Sequence, residues 1–133
     1  MKMLIVGLGG AVGAICRYFL GIFITKSKLQ QKLSFPLAMF VVNFSGSLGL
    51  GVFMRSYYHI GSNGVLYDNA LYLLVGIGFF GAFTTFSTFS LEVITLIREN
   101  KLSTALLYIL CTIFVCVAAF FIGYIWSPFS VLR

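Results

Sequence analysis

Four apolar runs, at roughly 3–24, 36–57, 69–97 and 103–126, dictate what this chain can become. Each is near or above the ~20 residues that a helix needs to cross the hydrocarbon core of a bilayer. No water satisfies the backbone there, so each run must close its own hydrogen bonds as a helix. Of the 133 residues, 60% are hydrophobic and only 9% charged, which a soluble domain of this size could not hide. We therefore expect an all-α membrane protein, a single transmembrane domain over 1–133 with short connections at 25–35, 58–68 and 98–101. No cleavage site stands out before Lys26, so the first run is expected to stay as a membrane helix. Tyr57, Tyr58, Tyr67, Tyr72 and Trp126 fall near run ends, where amphipathic rings anchor at the interface.

The net charge of +6 raises nucleic acid as a partner, but the basic residues are scattered at run ends. Lipid head groups account for that placement, and no nucleic-acid partner is expected. With four spans, Lys2, Arg55 and Arg133 lie on one side, and Lys26, Lys28, Lys32, Arg98 and Lys101 on the other. Three against five is a weak bias under the positive-inside rule, and it permits insertion in both orientations. The acids are Asp68, Glu92 and Glu99, of which Glu92 alone falls within a run. Cys16, Cys111 and Cys116 lie inside spans and give neither a disulfide framework nor metal-ligand spacing. The single histidine, His59, is read as loop, and no nucleophile–base pair is apparent, so an enzyme is not expected.

Gly7, Gly9 and Gly13 imitate a dinucleotide-binding turn. That turn needs a βαβ unit and an acid about 20 residues on, and residues 30–40 hold no acid. Small residues four apart instead let helices approach closely. Gly9/Gly13, Gly10/Ala14, Ser45/Gly49 and Ser47/Gly51 are spaced for that.

The third run is harder to explain by packing alone. Gly78-Phe-Phe-Gly81-Ala-Phe-Thr84-Thr85-Phe86-Ser87-Thr88-Phe89-Ser90 combines two glycines with five hydroxyls among phenylalanines. Loosened backbone and clustered hydroxyls at membrane depth belong where they are buried in protein or line a polar path. We expect a helix broken near Gly81, with Phe86 and Phe89 as neighbours on the second half. A phenyl ring has a positive edge, so such a pair can face an anion. Asn43, in mid span two beside Gly46, Ser47 and Leu50, must bond a neighbouring helix or a permeating species. Arg17 must snorkel, pair or face a wet vestibule. Tyr108, Thr112 and Cys116, four apart, share one face of the fourth helix.

Gly13-Ala-Ile-Cys-Arg-Tyr18, Asn43, and Gly81-Ala-Phe-Thr-Thr-Phe-Ser-Thr-Phe-Ser90 together resemble the Fluc/CrcB family of fluoride channels over essentially the full chain. The resemblance implies an antiparallel, dual-topology homodimer in the cell (inner or plasma) membrane, with two pores that passively export toxic fluoride. It also implies that Phe86 and Phe89 line the pathway and that Asn43 is the pore amide. Ser87, Thr88, Tyr108 and Thr112 are implied as further polar groups of the pathway, and Arg17 as the vestibule cation. The backbone carbonyls of Gly81 and Thr84 would hold a structural Na⁺ shared by the two subunits. Met39 and Cys116 depart from the threonine and serine common in relatives and lower the polarity along the track. The competing expectation is a small four-helix exporter similar to the small multidrug resistance transporters. Those depend on an acid deep in the first span, where this chain has Arg17 and no acid.

Overall fold

The computed structural model describes residues 1–32, 35–59 and 69–126. Four stretches among them are long and apolar enough to cross a membrane: Lys2–Thr25, Leu37–Tyr58, Tyr72–Arg98 and Leu102–Ile125. The helices are α1 (Lys2–Thr25), α2 (Lys28–Lys32), α3 (Leu37–His59), α4 (Gly81–Phe83), α5 (Phe86–Arg98) and α6 (Leu102–Ile125). A π-helical segment, Tyr72–Phe80, runs directly into α4. The glycine-rich start lies wholly within α1, and His59 closes α3 rather than lying in a loop. Tyr67, Asp68 and Arg133 fall outside the described residues.

Two short connections are built from side-chain and backbone caps. Between α1 and α3, the Gln30 Oε1 accepts the Leu37 N–H at 2.8 Å and the Ala38 N–H at 3.2 Å. Those are amides of the first turn of α3, which lack intrahelical acceptors. The Gln30 Nε2 donates to the Phe35 carbonyl at 3.2 Å, closing the loop on itself. Between α5 and α6, Asn100 takes a left-handed φ of 59°. Its N–H bonds the Ile97 carbonyl, and the Lys101 N–H bonds the Leu96 carbonyl at 2.9 Å. That pair of bonds is a Schellman cap, and asparagine tolerates the conformation it requires.

Glycines set how closely the helices approach. A Cβ on Gly9 would strike the Leu74 carbonyl, and one on Gly13 the Phe79 carbonyl, so α1 lies directly against the π segment. Helices α3 and α6 interlock reciprocally. A Cβ on Gly51 would strike the Phe120 carbonyl, and one on Gly123 the Leu48 carbonyl. Backbone contact of this kind replaces the hydrophobic driving force that helices lack within lipid. The outward faces carry Leu8, Phe19 and Phe23 on α1 and Leu106, Phe114 and Phe121 on α6, all exposed. These meet lipid or another membrane helix.

Gly13→Leu is expected to destabilise the packed protein by roughly 1–3 kcal/mol, the usual cost of overpacking a tight contact. Gly7→Ala, at a position with nothing within 4 Å of the new atom, should be neutral. Thermal unfolding in detergent, followed by size-exclusion profile, checks both.

Candidate functional site

The third span leaves the helix at Thr84 and Thr85, whose φ/ψ are −76°/151° and −143°/121°. Gly81, where sequence placed the break, is itself helical at −64°/−32°. The cause is a tertiary partner rather than glycine flexibility. From α3, the Asn43 Oδ1 accepts the Thr85 N–H at 2.9 Å, and the Asn43 Nδ2 donates to the Thr85 carbonyl at 3.4 Å. A side-chain amide thus pairs with an extended residue much as a neighbouring strand would. Both residues are buried, Asn43 at 9% exposure and Thr85 at 7%.

Thr85 then caps α5. Its Oγ1 accepts the Thr88 N–H at 3.3 Å and lies 3.2 Å from the Thr88 Oγ1 and 3.3 Å from the Ser87 Oγ. The Thr84 Oγ1 donates to the Phe80 carbonyl at 2.9 Å. In an unbroken helix the Thr85 N–H would bond the Gly81 carbonyl and the Thr88 N–H the Thr84 carbonyl. Both donors are turned elsewhere, so both carbonyls lose their regular partners. Gly81 is exposed, with open space where a Cβ would stand. Two freed carbonyl oxygens at an open turn suit a hard cation such as Na⁺, which takes oxygen ligands. Among the described residues no cluster of three or more His, Cys, Asp or Glu offers an alternative metal site.

Beside the break runs a groove of about 450 Å³. Asn43, Gly46, Ser47 and Leu50 line it from α3, Phe86 and Phe89 from α5, and Thr112 and Cys116 from α6. The Phe86 and Phe89 rings lie 5.9 Å apart at 38°, and Phe86 is 80% exposed. Thr112 is 7% exposed and its buried hydroxyl has no hydrogen-bond partner. The Asn43 amide has a second N–H beyond the one given to Thr85. Among the described residues, no acidic side chain lines the groove. It is an apolar cleft with a few hydrogen-bond donors, suited to a small anion and poorly suited to a cation.

The remaining sequence candidates sit elsewhere. Tyr108 is fully buried, and its hydroxyl donates to the Glu92 Oε2 at 2.6 Å. Its ring packs on Phe89 at 5.1 Å and meets Phe35 edge-on at 5.2 Å. Glu92 in turn lines a second cavity, of about 350 Å³, with Gln30, Thr95 and Glu99. Tyr108 and Phe89 therefore connect the two spaces by contact. Arg17 is half-buried and lines a third groove, of about 480 Å³, together with Lys26, Met39 and Thr88. Ser87 is exposed and tied to Thr85. Thr84 and Thr85 line the groove that holds Asn43 and Phe89, whereas Ser87 and Thr88 are not among its lining residues. Sequence reasoning left Glu92 without a partner, since sixteen residues and a turn separate it from Tyr108.

Residues 4–124 match the family described as "CrcB-like protein, Camphor Resistance (CrcB)". The chain is 48% identical to "Fluoride-specific ion channel FluC 1" of Halalkalibacterium halodurans, over 93% of this chain and 95% of that one. It is 41% identical to "Fluoride-specific ion channel FluC 2" of Bacillus cereus, over 92% and 94%. A protein of the same name from Clostridium acetobutylicum is 37% identical over 92% and 95%. These relatives are named as channels and not as enzymes. On this coverage and identity, the chain belongs to the CrcB-like family, the family of these fluoride-specific ion channels.

Proposed function

We propose that this protein is a fluoride-selective channel that lets fluoride leave the cytoplasm down its gradient and so lowers its toxicity. The observation that carries this reading is the groove beside the broken helix. It joins an unpaired, buried Thr112 hydroxyl, a spare Asn43 N–H and two phenyl rings, with no carboxylate. Fluoride holds its water tightly, so a path must replace that water at close quarters. Donors from Asn43 and Thr112 supply hydrogen bonds, and the positive edges of Phe86 and Phe89 supply attraction without a trapping charge. Tyr108 spends its hydroxyl on Glu92, so its role is to hold the Phe89 ring. Arg17, with Lys26 beside it, draws anions toward the groove that Thr88 shares. Ser87 supports the Thr85 cap.

The working unit in this proposal is an antiparallel, dual-topology homodimer in the cell membrane, with a pore on each side. A phenylalanine 80% exposed at the break and an open Gly81 turn support a second copy at this face. The Gly81 and Thr84 carbonyls of both copies would hold a shared Na⁺, whose charge offsets the cost of bringing anions into a low-dielectric core. The exporter alternative has no support, because α1 carries no acid and the family is one of channels.

Anion efflux from liposomes holding the purified protein, read with fluoride and chloride electrodes, tests the whole proposal. Rapid fluoride loss with little chloride loss is the expected outcome, and no fluoride flux from folded protein rejects it. Phe86→Ile should lower fluoride flux at least ~10-fold with the size-exclusion profile unchanged, because an aliphatic side chain has no positive ring edge to offer an anion. Normal flux would remove the ring-edge role. Asn43→Asp keeps an acceptor for the Thr85 N–H but loses the donor to the Thr85 carbonyl, so some loss of stability is expected, while the fixed negative charge repels the anion and stops flux. Asn43→Ala leaves both Thr85 backbone groups buried and unpaired, at about 1–3 kcal/mol each, and should lower the melting temperature as well. Exchange of all Na⁺ for a bulky organic cation should lower thermal stability in detergent; an unchanged melt would dispose of the bound cation.

A further inference from the structure

Cys116 is the nucleophile of the groove. It sits one turn beyond Thr112 on the same face of α6, half-buried, and both residues line the cleft with Asn43 and Phe89. Across the cleft, Ser47 of α3 lines the opposite wall. The adjacent Thr112 hydroxyl, more than nine-tenths buried and unpaired, marks this part of the wall as one that receives a polar guest. The other thiols are placed differently. Cys16 is exposed on α1, and Cys111 is not among the residues lining the groove.

We propose that Cys116 is a thiol-modification site within the ion path: a small sulfur-directed electrophile that enters the groove bonds to its Sγ and closes the path. The closure rests on the fluoride-channel reading; the labelling does not. With an alkyl methanethiosulfonate, the Cys116 thiolate attacks the sulfenyl sulfur of the reagent. A new S–S bond forms, the S–SO₂ bond breaks, and methanesulfinate leaves with the electron pair. The thiol proton goes to water. A dithiol reductant reverses the reaction by exchange, returning the free thiol. The attached group occupies the space between Ser47 and Thr112, where neither wall can retreat without unpacking α3 from α6.

The test uses the full chain in liposomes, treated with aminoethyl methanethiosulfonate and assayed by fluoride electrode, with peptide mass mapping of the same sample. We expect Cys116 to gain the aminoethylthio mass, flux to fall at least ~10-fold, and dithiothreitol to restore it. The Cys16→Ser/Cys111→Ser double variant should stay sensitive. Cys116→Ser and Cys116→Ala should both lose sensitivity, read as the ratio of treated to untreated flux, so one variant that fails to fold does not decide the matter. Fluoride at high concentration should slow labelling at Cys116 and not at Cys16. Full labelling of Cys116 with unchanged flux overturns the closure, and absence of label there overturns the site. Flux loss that persists in both Cys116 variants assigns the block to another residue. No flux before treatment defeats the channel reading and the closure together, while the mass map still reports on the site.

Discussion

The reciprocal bonding of Asn43 to the Thr85 backbone is the interaction on which the rest depends. A break in a membrane helix strips amides and carbonyls of their partners where no water can replace them. One residue on α3 supplies both an acceptor and a donor at the depth where Thr85 leaves the helix. A hydroxyl or a carboxylate could not serve both groups equally, because only an amide carries a carbonyl oxygen and an NH₂ side by side. The same residue lines the groove. Its structural duty and the conductive one proposed for it therefore cannot be separated by simple truncation, and the contrast between an acid and an alanine at this position becomes informative.

The hydroxyls of the third span turn out to have a different use from the one that their clustering suggests. Thr84 bonds back to Phe80 and Ser90 bonds back to Phe86, each closing on the preceding turn. Thr85, Ser87 and Thr88 form a small ring of contacts that caps α5. Most of these groups are satisfied locally and stitch the break shut. Among the described residues, the buried hydroxyl left without a partner is that of Thr112, on another helix. In an apolar setting, an unpaired buried hydroxyl is a stronger mark of a ligand path than several paired ones.

Hydropathy made the four spans legible, because lipid imposes one length and one composition on all of them. Spacing at 100° per residue likewise brought Tyr108, Thr112 and Cys116 to the inner side of α6. It could not show that Tyr108 gives its hydroxyl to Glu92, since that bond joins two helices. The sequence reading puts the break near Gly81 and not at Thr84 and Thr85 themselves, because backbone freedom is visible in sequence and a tertiary hydrogen bond is not. Ser87 and Thr88 were grouped with Phe86 and Phe89 for a related reason. Helical phase restarts at Phe86, so the phenylalanines three apart come together while the residues between them turn away. The π-helical turns of Tyr72–Phe80 leave no compositional trace, because apolar side chains suit either helix.

The seating of α1 on the π segment has a mechanical consequence. Gly9 and Gly13 hold the carbonyls of Leu74 and Phe79 directly against α1, while α5 packs against α6 and is joined to it by the Asn100 cap. The third span is thus shared between two bodies, its first half carried by α1 and its second by the α5–α6 hairpin, with Thr84 and Thr85 as the joint. A shape change on α1, which lends no residue to the groove of Asn43 and Phe89, would reach the joint as a shift of one body against the other rather than as a local repacking.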